Sequence, residues 1–247
     1  MYLRIKLKIE YDGTPFVGWQ KQNNGPSVQG VIEKALKTAL REEITLFGSG
    51  RTDTGVHAYG QIAHFDTNMS VDCFRLRESL NALIRPYPIS IHLVEHVSDT
   101  FHARFDAKER TYLYRILNTV NPPALEYNRV WWFKYPLDVE KMNQAAQLLV
   151  GKHDFSTFRA SECQAKSPIK TLNYINVTSV GQGHIEMVVK ARSFLHHQVR
   201  NIMGTLVNVG CGKWTVDDFQ KALEARDRRA GGQTAPAQGL YFVHIEY

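Results

Sequence analysis

Cysteine is scarce in this 247-residue chain, and Cys73, Cys163 and Cys211 form no CxxC pair. An odd, scattered set of this kind builds neither a disulfide framework nor a cysteine-rich zinc site, so reduced thiols are expected. Long hydrophobic runs are also missing: no stretch nears the roughly 18 apolar residues that span a bilayer. The opening Met1-Tyr2-Leu3-Arg4-Ile5-Lys6 alternates polar and apolar residues where a signal peptide would have an apolar block, which leads to the expectation of a cytoplasmic protein. The HExxH spacing of zinc hydrolases is absent. So is the K/R-G-F/Y-G/A-F-V-x-F/Y run of RNA-recognition domains. No low-complexity segment interrupts the chain, and Arg226–Gly232 is its most loop-like stretch.

What is present is an ordinary globular composition with a basic lean. Hydrophobic residues make up 43% and charged residues 22%, enough for one large domain or two small ones with cores of their own. Lys and Arg total 30 against 24 Asp and Glu, a net charge of +6, with a pI of about 9.2. A surplus of this sign suits a polyanionic partner, because each cation set against a phosphate releases condensed counterions. Many mildly basic proteins bind no nucleic acid, so charge alone decides nothing.

Periodicity sets out the elements. Leu3, Ile5, Leu7, Ile9 and Tyr11 alternate with charged residues, a strand with one wet face. Ser27 caps a helix whose apolar positions are Val28, Val31, Ile32, Ala35, Leu36 and Ala39. Strands are predicted at Ile44–Phe47 and Gly60–Phe65, a helix at Asp72–Leu83 and a strand at Ile89–Val97. The order β-α-β-β-α-β is that of ferredoxin-like folds. The second half repeats it with insertions: a strand at Thr111–Leu117, a helix at Asp138–Val150, and a hairpin of Leu172–Val180 and His184–Ala191 joined through Gly181-Gln182-Gly183. Helices at Phe194–Val209 and Val216–Ala225 and a closing strand at Leu240–Tyr247 complete it. The expected fold is therefore α+β: two related βαββαβ halves, 1–105 and 106–247, sharing a mostly antiparallel sheet with a central cleft.

One segment concentrates reactive side chains. Gly48-Ser49-Gly50-Arg51-Thr52-Asp53-Thr54-Gly55-Val56-His57-Ala58 holds a cation, two hydroxyls, a carboxylate and an imidazole among three glycines, between two predicted strands. Loops held by flanking strands are where catalytic groups tend to sit. A turn in which Asp53 caps its own backbone and Arg51 forms a surface ion pair explains the same residues. A metal hydrolase built on Asp53, His57 and the pair His196-His197 is disfavoured, because adjacent residues on a helix point about 100° apart.

The segment GSGRTDTGVHAYGQIAHF resembles the signature of the TruA-type tRNA pseudouridine synthases, usually G-A-G-R-T-D-A-G-V-H-A. Further blocks match in the family's order: EYDGTPFVGWQ, FHARFDAKERTYLYRI, GKHDFSTFRA, INVTSV, FLHHQVRNIMGTLVNVG and AQGLYFVHIEY. The resemblance spans nearly the whole chain, with Ser49 and Thr54 standing where the family usually has alanine.

The resemblance implies a cofactor-free isomerase that breaks the N1–C1′ bond of a uridine, turns the base and rejoins it through C5. Asp53 matches the family's essential nucleophile. Arg200 matches a basic residue expected to pair with that aspartate and keep it ionised; a helical position from which it contacts phosphate explains the same residue. Arg51 matches an arginine that helps flip the target base and fills the space it leaves. Tyr112 matches the tyrosine that stacks on the flipped base. Tyr112 and Tyr114 lie two apart on one strand and hence on one face, so either or both also qualify as core. Leu240 matches an apolar residue packing near the base. His57 is assigned a structural or RNA-contacting role, and no metal is expected. The implied substrate is tRNA, at uridines of the anticodon stem-loop near roughly positions 38 to 40, recognised largely by shape and backbone. The implied assembly is a homodimer. The competing expectations are a pseudouridine synthase acting on another RNA site and a non-catalytic RNA-binding module.

Overall fold

A computed structural model describes residues 2–247. They form two compact units: one takes in the chain up to Lys108 together with Tyr241–Tyr247, the other is Glu109–Leu240. Both are mixed α and β with mostly antiparallel sheets. Among the described residues no helix is long and apolar enough to cross a membrane.

In the first unit the alternating N-terminal segment is strand β1, Leu3–Tyr11, and its alternate residues Ile5, Leu7, Ile9 and Tyr11 are the buried ones. Helix α1, Val28–Leu40, begins at Ser27, whose hydroxyl accepts from the Gly30 amide at 3.2 Å and so satisfies one of the helix's free N–H groups. It buries Val28, Ile32, Ala35, Leu36 and Leu40. Strand β2 is only Phe47–Gly48, shorter than the predicted Ile44–Phe47, since Ile44–Leu46 run without ladder pairing. Strand β3, His57–Thr67, is longer than the predicted Gly60–Phe65 because it finds partners along its whole length. Helix α2, Cys73–Leu83, is capped by Asp72, and strand β4 covers Ile89–Val97 as expected.

The sheet order is β4-β1-β3, antiparallel throughout. Two short partners share the remaining side of β3. Strand β2 pairs with its later part, Phe47 opposite His64, in antiparallel fashion. The closing strand β10, Leu240–Glu246, pairs in parallel with its start, Tyr241 opposite His57 and Phe242 opposite Ala58.

The second unit is built on strands β5 (Glu109–Leu117), β7 (Gly151–Asp154), β8 (Ile169–Gly181) and β9 (His184–Ala191), ordered β5-β9-β8-β7 and antiparallel, with β6 (Trp131–Trp132) parallel to β5. The hairpin between β8 and β9 turns through Gly181, Gln182 and Gly183, all at positive φ. Helix α3, Val139–Gln147, ends earlier than the predicted Val150; its cap is Asp138, whose carboxylate accepts from the Lys141 amide. Helix α4 is Gln198–Gly210, and α5, Val216–Ala225, carries a reciprocal capping box between Thr215 and Asp218. The helix predicted from Phe194 thus starts four residues later. His197 sits at φ 61°, a left-handed conformation that a helix interior does not accept.

Candidate active site

The loop between β2 and β3 is fixed by its own side chains. Ser49, buried, donates its hydroxyl to Gln61 Oε1 at 2.6 Å, and Gln61 Nε2 donates to the carbonyl of Gly50 at 2.9 Å. Gln61 lies on β3 and is fully buried, so the start of the loop is clamped to the strand that follows it. Two residues on, the Thr52 and Tyr11 hydroxyls meet at 2.8 Å in a buried contact, and the Thr52 carbonyl accepts from the Trp19 amide at 3.1 Å. Thr54 Oγ1 donates to the Val17 carbonyl at 3.0 Å. The Val56 amide then closes a turn onto the Asp53 carbonyl at 3.1 Å, with Gly55 at φ +78° as a type II turn requires.

These ties depend on a close approach of the Asp12–Trp19 segment. A Cβ on Gly18, itself at φ +116°, would lie 2.7 Å from the Thr52 carbonyl oxygen. The glycines of the EYDGTPFVGWQ block are therefore what let one segment lie on the other. Between the anchors sit the two residues with reactive side chains. Arg51 is exposed and Asp53 half-buried, one on each side of the pinned Thr52. Ser49 and Thr54, the departures from the family's alanines, each use the added hydroxyl for one of these bonds.

His57, at the start of β3, is packed into the first unit by contacts of its own. It is buried, stacked on Tyr241 with centroids 4.8 Å apart, and its Nδ1 accepts from the Gly13 amide at 3.0 Å. Asp12 Oδ1 stands 3.2 Å from the same nitrogen and also accepts from the amide and hydroxyl of Thr14; the His57 contact first, then the Thr14 bonds, hold its carboxyl well below the usual carboxylate range.

The second unit holds the other candidates. On β5, Tyr114 is fully buried and donates its hydroxyl to the Pro236 carbonyl at 2.6 Å. Burial raises its phenol well above the ordinary range, offset in part by the charge of Arg200. Tyr114 is thus the core residue of the pair. Tyr112 is half-buried, with its ring edge-on to Phe194 at 5.1 Å. Phe194, expected from its spacing to open a helix, instead lies in the irregular stretch before α4.

Arg200 is in the first turn of α4. Its Nε donates to the Ala235 carbonyl at 2.8 Å, and its own carbonyl accepts from the Ala235 amide at 3.2 Å. Leu240, buried, follows Gly239, at which a Cβ would lie 2.6 Å from the Tyr114 ring. Arg200, Tyr114 and Leu240 are in this way all tied to the one segment Ala235–Leu240. His196 and His197 are not on the helix, and their ring centroids are 4.0 Å apart. The 100° offset of neighbouring helical residues therefore does not separate these two rings.

The family model for tRNA pseudouridine synthases matches residues 8–106 and 145–247, which take in both the Asp53 loop and the Arg200–Leu240 region. The chain belongs to the tRNA pseudouridine synthase family. The tRNA pseudouridine synthases A of Brucella ovis and Brucella suis are each 54% identical to it over 246 residues, 99% of this chain and 98% of the relative. Among solved structures, a Cbf5-Nop10-Gar1 complex aligns over 92% of this chain and 60% of that chain at 12% identity, with a TM-score of 0.38. The activity is that of a tRNA pseudouridine synthase, an isomerase whose substrate is tRNA.

Proposed function

We propose that this tRNA pseudouridine synthase isomerises uridines of the anticodon stem-loop, near roughly positions 38 to 40, with Asp53 as its nucleophile. The reading rests above all on the pinned loop. A carboxylate whose neighbours Ser49, Thr52 and Thr54 are each hydrogen-bonded to another segment is held at a fixed position before substrate arrives. Positioning of that kind supplies a large part of a catalytic advantage. Asp53 attacks the target nucleotide covalently, the N1–C1′ bond breaks, and the base turns. C5 then bonds to C1′, the bond to Asp53 breaks and returns the free carboxylate, C5 gives up its proton and N1 ends protonated. No atom is gained or lost, and the reaction needs no added cofactor.

In this reading Arg51, exposed beside Asp53, displaces the target base and fills its place. Tyr112 stacks on the flipped base, backed by the edge-on ring of Phe194. Arg200 keeps the Asp53 carboxylate ionised, and Leu240 packs near the base. The protein works as a homodimer in the cytoplasm, a point that sedimentation of the purified protein with and without tRNA tests.

The deciding experiment is site-resolved pseudouridine mapping of unmodified tRNA after incubation with the protein, chelator present and no cofactor added. Pseudouridine is expected in the anticodon arm. With Asp53→Asn it is expected to vanish, a fall of at least about 10³-fold, while tRNA affinity stays within about threefold of wild type. Product at a different tRNA position would overturn the site assignment, and turnover by Asp53→Asn would overturn the nucleophile.

A further inference from the structure

We propose that Arg228 is a positioning residue for the reaction, holding the Gly231–Pro236 segment on helix α4 so that the guanidinium of Arg200 is fixed. The inference rests on the role proposed above for Arg200 and extends it to a residue outside that set.

Arg228 has an unusual set of partners for a half-buried arginine. Its Nη1 donates to the Gly232 carbonyl at 2.8 Å, and its Nη2 to Asn201 Oδ1 and Thr234 Oγ1, each at 3.2 Å. All three acceptors are neutral. Burial without a compensating carboxylate lowers its pKa from the ordinary arginine value. A cation that only needed to be tolerated would be turned out to water on its long stem, as neighbouring Arg229 is, paired with Asp227. Arg228 instead joins the segment at Gly232 and Thr234 to α4 at Asn201. The planar fork of arginine can serve three acceptors in fixed directions, which a lysine ammonium on a flexible stem does not reproduce.

Asn201 is the hub. It is buried, its Nδ2 donates to the Phe158 carbonyl at 2.9 Å, and Thr234 Oγ1 donates to its Oδ1 at 2.7 Å. One turn further along α4, the Gly232 amide donates to Thr205 Oγ1 at 2.9 Å. The segment lies so close to the helix that a Cβ on Gly204 would sit 1.8 Å from the Gln233 carbonyl oxygen. Directly after these ties comes Ala235, whose carbonyl receives Arg200 Nε and whose amide donates to the Arg200 carbonyl. Arg200 and Asn201 are consecutive residues. One binds the segment through Ala235, and the other binds it through Arg228 and Thr234. Releasing Arg228 frees the far side of the same short clamp, and a shift of about 1 Å in a group of this kind costs on the order of 10²-fold in rate.

A double-mutant cycle on single-turnover rates tests this, using the full chain and unmodified tRNA. Arg228→Gln is expected to slow the chemical step about 30- to 100-fold with tRNA affinity changed less than about threefold. Arg228→Lys is expected to fall nearly as far, because geometry and not charge is what is lost. In an Arg200→Ala background the further effect of Arg228→Gln is expected to shrink below about threefold, the signature of two residues acting through one element. Equal fold-losses in both backgrounds would overturn the proposal, and so would rescue by lysine together with a weakened affinity, which would make Arg228 a phosphate contact. Arg200→Ala at wild-type rate would remove the Arg200 reading itself, a result separable from the cycle. Should Arg228→Gln fail to fold, Thr234→Val, which removes one acceptor of the same fork, takes its place with the same expected non-additivity.

Discussion

The loop from Gly48 to Val56 and the segment from Gly231 to Gly239 are both irregular, glycine-rich and tightly held, yet they are held by opposite means. The first is anchored by its own side chains: the hydroxyls of Ser49, Thr52 and Thr54 reach out to Gln61, Tyr11 and the Val17 carbonyl. In the function proposed above, its Arg51 and Asp53 are the side chains that act on the substrate. The second is mainly a receptor for side chains from elsewhere. Its carbonyls at Gly232, Ala235 and Pro236 accept from Arg228, Arg200 and Tyr114. One segment carries reactive groups and the other orients groups carried by a helix and a strand. Damage to the first is expected to be local, whereas damage to the second spreads to whatever its backbone was holding.

The strongest way to break this comparison is at the glycines. Gly204→Ala drives a methyl into the Gln233 carbonyl and is expected to destabilise the protein by about 3 kcal/mol or more, since the Gln233 and Ala235 atoms it meets are all backbone. Gly18→Ala meets the Thr52 carbonyl at 2.7 Å from a left-handed conformation, and about 1–3 kcal/mol is expected. Chemical denaturation gives both values. If the two regions differ as described, both substitutions lower turnover with little change in tRNA affinity, and Gly204→Ala carries the larger loss of stability.

Acid sharpens the contrast further. His64 lies opposite Phe47 at the entrance to the first loop, is buried, and accepts from the Ala103 amide through Nδ1 at 3.2 Å. Burial first, then the charges of His102 and Arg4, lower its pKa from 6.5 to about 4. The unfolded chain then binds a proton that the folded chain refuses. This contribution is fully present above pH 6.5 and is lost as pH falls towards 4, by on the order of 2–3 kcal/mol. Denaturation midpoints measured across that window should show the slope, and His64→Gln should flatten it.

Smaller is the expected effect of Tyr11→Phe, which leaves the Thr52 hydroxyl buried without its partner and should cost about 1–2 kcal/mol. An accompanying fall in turnover larger than the stability loss explains would show that the Tyr11–Thr52 bond positions Asp53 as well as stabilising the loop. Unchanged turnover would confine that bond to stability.

Much of this arrangement is legible without coordinates wherever one segment answers only to its own pattern. The alternation of Leu3 to Tyr11 gave β1, Ser27 gave the start of α1, and the turn at Gly181-Gln182-Gly183 gave its hairpin. The reactive loop was visible as a cluster of residue types between strands. The errors occur where a partner elsewhere in the chain decides. Strand β3 extends past Gly60–Phe65 because β1 and the short strands beside it supply its ladder. Phe194 to His197 fit a helical pattern, but a left-handed His197 stops the helix, and Phe194 instead meets Tyr112.

From sequence alone came the element types, the basic surplus and the ordered motifs of the tRNA pseudouridine synthases, because spacing, capping and residue chemistry are local properties of a chain. Which of Tyr112 and Tyr114 is core, why Gly18 and Gly204 admit no side chain, and what holds Arg200 were settled only by tertiary structure. Each depends on the distance between segments far apart in sequence, Thr52 against Gly18 or Gln233 against Gly204, and no pattern within either segment encodes that distance.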